Sequence, residues 1–85
     1  MLYRVLTENV NRGNIDKIVG RYFDGYTVIE AQGVWCGKRE NSLIIEIIAE
    51  GKDRPKVLAI AREINIANKQ ECCLVQEIAC RSTFV

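Results

Sequence analysis

Histidine is absent from the 85-residue chain, and with it go the commonest general base and the commonest nitrogen ligand for zinc. The four cysteines, Cys36, Cys72, Cys73 and Cys80, show no C-x-x-C spacing, so neither a zinc knuckle nor a thioredoxin-like redox pair is encoded. They read as small hydrophobes. Cys72 and Cys73, as neighbours in a strand, point to opposite faces and are poorly placed to bridge. Charge of one sign is lacking too. Twelve basic and eleven acidic side chains leave a net +1, which gives no footprint for unselective binding to nucleic acid or an anionic membrane. The strongest apolar run, Leu43 to Ala49, is broken by Glu46 and falls far short of the ~20 residues that cross a bilayer. Met1 to Asn9 carries Arg4 and Glu8 and has no apolar signal-peptide core. The expectation is a cytoplasmic protein without a cofactor, a metal site, a nucleic-acid partner or a membrane partner. No nucleophile–base constellation is visible, and Glu46 and Glu50, on one face of a strand, are the nearest approach to an acid/base pair. Their plainer role is solubility or an interfacial ion pair, so no enzyme is expected.

What is present is a core. Hydrophobic residues make up 48% of the chain against 27% charged, enough to bury one thin core in a single domain spanning residues 1–85. Leu2 to Thr7 has the composition of a strand and runs into a polar loop. Asn14 can cap a helix whose apolar residues Ile15, Ile18, Val19 and Tyr22 recur at helical spacing, with Asp16 in its first turn and Asp24–Gly25 as its stop. Tyr26 to Cys36 reads as one long strand in which Gly33 marks a bulge or a close backbone approach. A turn at Gly37 to Asn41 leads into the strongest strand, Ser42 to Glu50. Pro55 opens a second helix reaching about Ala67, with Val57, Ala61, Ile64 and Ala67 on one stripe broadened by Leu58 and Ile60. Glu71 to Cys80 closes the series as a strand.

The order β-α-β-β-α-β predicts an α+β ferredoxin-like sandwich, an antiparallel sheet with two helices on one face. In the third strand Leu43, Ile45, Ile47 and Ala49 share one face, while Ile44, Glu46, Ile48 and Glu50 share the other. The second face is also half apolar, which predicts cover from a partner subunit.

The most unusual stretch is Gly33 to Glu40, G-V-W-C-G-K-R-E, holding the sole tryptophan beside two cations. Trp35 anchors an interface in one reading. In the other it offers a stacking surface, with Lys38 and Arg39 pairing a phosphate or carboxylate. A second polar cluster, Thr7, Glu8, Asn9, Asn11, Arg12 and Asn14, precedes the first helix, where anions bind readily.

The pattern W-x-G-K-x-E, formed by Trp35, Gly37, Lys38 and Glu40, leads into an Ile-rich strand and a helix carrying Val57, Ile60 and Ile64. It resembles the hairpin region of the CutA divalent-cation tolerance proteins, which share a trimeric ferredoxin-like architecture with the PII signalling proteins. The resemblance implies a homo-oligomer of three copies, with ligand sites in the clefts between subunits; Arg12, Trp35, Lys38, Arg39 and Arg81 are the candidates to line one, with no catalytic role. The function this implies is a non-enzymatic, oligomeric regulatory protein binding a small anionic metabolite or nucleotide, or a phage-type protein that sequesters a nucleotide signal. Divalent metal binding in the CutA manner, through Cys36 or Cys72 and Cys73 with Glu40, and a purely structural or protein-interaction module are the alternatives.

Overall fold

The computed structural model describes residues 1–85 and places the elements in the order β1 (Leu2–Glu8), α1 (Arg12–Gly20), β2 (Thr27–Trp35), β3 (Lys38–Ile48), a 3-10 turn at Gly51–Asp53, α2 (Arg54–Asn68) and β4 (Leu74–Ile78). The sheet runs β2-β3-β1-β4 with every neighbouring pair antiparallel. This is the ferredoxin-like α+β architecture expected from the element order. No helix is long and apolar enough to cross a membrane.

The alternation of β1 and β3 builds the core floor. Tyr3, Val5 and Thr7 stand opposite Ile47, Ile45 and Leu43, and all six are buried. Helix α1 lays Ile15, Ile18 and Val19 on this floor, and α2 adds Val57, Ile60, Ala61 and Ile64. Each large apolar side chain so buried contributes about 1.5–3 kcal/mol. The Tyr3 hydroxyl sits at the core's edge and donates to the carbonyls of Glu50 and Gly51.

Three boundaries differ from the sequence reading, each for a local reason. Helix α1 starts at Arg12, because Asn11 takes the left-handed conformation (φ 52°) and the amides of Asn14 and Ile15 bond to its carbonyl. Asp16 therefore lies beyond the first turn and pairs with Arg12 one turn back at 3.4 Å. The helix ends at Gly20, and Tyr22 and Phe23 reach the core from the turn that follows. Strand β4 begins only at Leu74. Lys69 in the left-handed region stops α2, and Gln70 then folds over the sheet end to donate to the Thr7 hydroxyl at 2.7 Å.

The β2–β3 hairpin departs most. Its turn is the two residues Cys36 and Gly37, with φ 52° and 76°, so β3 starts at Lys38 where a polar turn to Asn41 was expected. Two positive φ values in succession define the turn type whose twist suits a hairpin and which favours Asn-Gly. Pairing is unbroken from Thr27↔Glu46 to Trp35↔Lys38, so Gly33 is no bulge. It permits a close approach instead, since a Cβ there would lie 2.9 Å from the Ser42 hydroxyl. Cys36 bears the left-handed conformation without asparagine's tolerance of it. Cys36→Asn is expected to stabilise the hairpin by about 1 kcal/mol, read as slower amide exchange along Val34–Arg39. Unchanged or faster exchange would show that the turn carries no such strain.

Strand β1 pairs with β3 only as far as Glu8↔Ser42. Beyond that rung β2 and β3 continue alone as a two-stranded arm, which lengthens the molecule to 39 × 24 × 20 Å.

Candidate functional site

The sheet face away from the helices carries Leu2, Leu6, Ile29, Ile44, Ile48 and Leu74, as the strand alternation requires. Ile48 is 58% and Leu74 55% exposed. In the middle of this apolar surface Arg4 Nε donates to Glu46 Oε2 at 2.8 Å. The half-apolar second face expected from β3 is therefore real and extends over all four strands.

At the arm's end this surface sinks into a concavity of about 630 Å³. Leu6, Ile44 and Leu74 make its floor, the arm supplies Trp35 and Glu40, and the segment between α2 and β4 supplies Lys69, Glu71 and Cys72. Glu8 at the end of β1 and Ser42 of β3 complete the polar rim. Three carboxylates thus face one ammonium. Gly33 lines it too, and its missing Cβ keeps the wall beside Ser42 open. Such a space offers a stacking surface, acceptors for hydroxyl or ammonium donors and one cation for a carboxylate.

Of the five residues expected to line a site, Trp35 does so and is 65% exposed. Lys38 stands across from it at the exposed hairpin tip, and Arg39 pairs with Val34 on the opposite face of the arm. Arg12 lies on α1, 3.4 Å from Asp16 and 4.0 Å from Glu30. Arg81 follows β4, whose Ile78 pairs with Leu2, and so sits at the far end of the sheet from the hairpin. One chain does not bring these five together. Glu8 enters the sequence reading only in the polar cluster before α1, Glu40 in the W-x-G-K-x-E pattern and as a metal ligand, and Glu71 as the first residue of a strand, so nothing there joins the three. Only the pairing of β1 with β3, which sets Glu8 against Ser42, brings Glu8 near Glu40, two residues away on the same face.

The two adjacent thiols differ. Cys72 is exposed in the concavity, while Cys73 turns inward beside Asn65 and Gln70. Burial pushes the Cys73 thiol above its ordinary range, against the lowering effect of hydrogen bonds from Thr7 and Gln70. A neutral thiol is a poor nucleophile. Iodoacetamide at pH 8 is expected to alkylate Cys72 at least tenfold faster than Cys73, as followed by peptide mass spectrometry; equal rates would contradict the inward placement. No group of three or more Cys, Asp or Glu is arranged to hold a metal ion.

No family model and no curated protein sequence matches the chain. Solved structures do. A phage SAM lyase in its apo state superposes with a TM-score of 0.70 at 26% identity, covering 87% of this chain and 75% of the lyase. A DUF3240 family protein from Shewanella baltica OS155 superposes with a TM-score of 0.73 at 13% identity, covering 99% of this chain and 94% of the other. The second likeness is one of fold. The first overturns the expectation that the chain is not an enzyme, because an enzyme carries this architecture at appreciable identity. That expectation rested on missing histidine and missing nucleophile, and neither is demanded by every bond cleavage.

Proposed function

We propose that the chain is a SAM-cleaving lyase that works as a cytoplasmic homo-oligomer, with its substrate in the concavity beside Trp35. The observation that carries this reading is the likeness to the phage SAM lyase over 87% of the chain. The lining chemistry supports it. SAM, S-adenosylmethionine, presents an adenine for an aromatic wall and a ribose diol that donates to carboxylates. Its ammonium suits a second carboxylate of the set Glu8, Glu40 and Glu71, and its carboxylate suits Lys69. Three acidic groups favour this positively charged nucleoside over the anionic ligand that Lys38 and Arg39 suggested.

The reaction explains why no histidine is needed. Sulfonium sulfur leaves as a neutral thioether, so no acid has to protonate the leaving group. The substrate's own carboxylate oxygen can displace it from the γ-carbon. The C–O bond forms as the C–S bond breaks, the electron pair stays on sulfur, and a lactone and a thioether nucleoside result. No water, oxidant or protein nucleophile enters. The protein's task is to fold the methionyl chain so that carboxylate and γ-carbon meet, and to keep the site dry while opposite charges cancel. A second copy lying on Leu6, Ile44, Ile48 and Leu74 would roof the concavity and exclude water. The CutA and PII resemblance points to a trimer for that arrangement.

Incubation of the purified protein with SAM in plain buffer tests the reading. Equal amounts of lactone and thioether nucleoside are expected by liquid chromatography, from a species whose native mass is a multiple of the 9.7 kDa chain. SAM left intact for hours at equimolar protein would refute the activity.

A further inference from the structure

A second site lies on the other side of the arm, facing the helices. There a concavity of about 410 Å³ is lined by Asn9, Glu30, Ala31, Gln32 and Asn41. Its making is a matter of register. Gln32 stands opposite Asn41, and the Asn9 amide donates to the Asn41 carbonyl at 2.9 Å where β1 gives out. Three carboxamides thus form a row across β2, β3 and the segment just past β1, spaced by the ~4.8 Å between strands. Glu30, two residues before Gln32 and on the same face of β2, flanks the row, with Arg12 4.0 Å away.

The side chains in this row are unspent. Asn11, Asn65, Asn68 and Gln70 all bond within the chain. Asn9, Gln32 and Asn41 take part in no side-chain hydrogen bond within it. A carboxamide presents a donor and an acceptor side by side, the pairing that matches an adenine edge at N6 and N7. A carboxylate beside it accepts from a ribose diol. The pair of Glu30 and Arg12 is neutral in sum, and Arg12 is already engaged by Asp16, so little remains to hold a phosphate.

The geometry points to a binding site for an uncharged adenine nucleoside that backs onto the concavity holding Trp35, with Ala31 and Gln32 in the lining of both. This site does not depend on SAM cleavage, although the thioether nucleoside released by that reaction belongs to the class it takes.

Calorimetric titration with adenosine tests it on the 85-residue chain, with circular dichroism used to check that each substituted protein is folded. In a Trp35→Ala background, which removes the aromatic wall of the first concavity, saturable binding is expected, weakened at least tenfold by Asn41→Ala and by Asn9→Ala, the two amides that line the second concavity alone. Inosine, which lacks the exocyclic amine, is expected to bind about tenfold more weakly, one hydrogen bond being lost. No saturable binding up to millimolar adenosine would overturn the proposal. So would binding that survives both amide substitutions or disappears in Trp35→Ala. SAM cleavage, measured on the same preparations, stands or falls separately.

Discussion

Trp35→Ala is expected to raise KM for SAM about tenfold while leaving kcat within about twofold of the parent. Base stacking on an aromatic side chain is worth roughly 1–3 kcal/mol by alanine substitution, and a tryptophan that is 65% exposed belongs at the lower end. The adenine ring does not change between ground and transition state, so its loss weakens both equally and appears in KM. Glu40→Gln and Glu71→Gln each remove a charged acceptor for the diol or the ammonium, worth about 1.5–3 kcal/mol where that bond is made. A carboxylate that holds the methionyl chain in its folded, reactive shape should lower kcat as well, because misplacement of the reacting atoms is felt in the barrier. Steady-state kinetics by chromatographic product assay separates the two patterns. Unchanged kcat and KM in all three variants would remove the concavity from consideration.

Ile45→Ala is expected to cost about 2–5 kcal/mol, a large share of the roughly 5–10 kcal/mol that a domain of this size has to lose. Ile45 is fully buried, stands between Val5 and Val28 in the sheet, and lies beneath both helices' apolar stripes. Thin cores relax poorly around such a loss because few neighbouring layers can close the gap. The melting temperature should fall by at least about 8 °C, at 4–8 °C per kcal/mol for a chain of this length. Ile48→Ala, three residues further along the same strand and therefore on the outer face, is expected to leave the monomer's stability within about 0.5 kcal/mol and to weaken assembly. Equal destabilisation by both would mean that the two faces of β3 are not distinguished as burial suggests.

The strands and helices were legible because their apolar periods are strong. The alternation of Leu43 to Ile48 fixed both the core face and the greasy outer face, and Pro55 with the spacing of Val57, Ala61 and Ile64 fixed α2 to within a residue. Apart from the early end of α1 at Gly20, boundaries failed where a non-glycine residue takes a left-handed conformation. Asn11, Cys36 and Lys69 do so, and each displaced an element edge: the start of α1, the hairpin turn and the start of β4. Composition carries no signal for a cysteine at such a position. The site was less legible still. Trp35 announced itself by rarity, but Glu8, Glu40 and Glu71 become one rim only through the register Glu8↔Ser42 and Gly33↔Glu40 and the fold-back of Gln70 over Thr7. Lys38 and Arg39 stand at the hairpin tip and on the opposite face of the arm, outside the concavity of a single chain. The exclusion of an enzyme failed because it rested on a missing histidine and a missing nucleophile, while an enzyme, the phage SAM lyase, carries this architecture.

Trp35 is the sole tryptophan, so its fluorescence reports on the concavity alone. Rapid mixing with SAM is expected to quench it saturably before product appears, with a half-saturation that matches KM and a signal that recovers as SAM is consumed. Product formation with a flat Trp35 signal would place the substrate elsewhere in the molecule, and a flat signal with no product would contradict SAM cleavage at this site altogether.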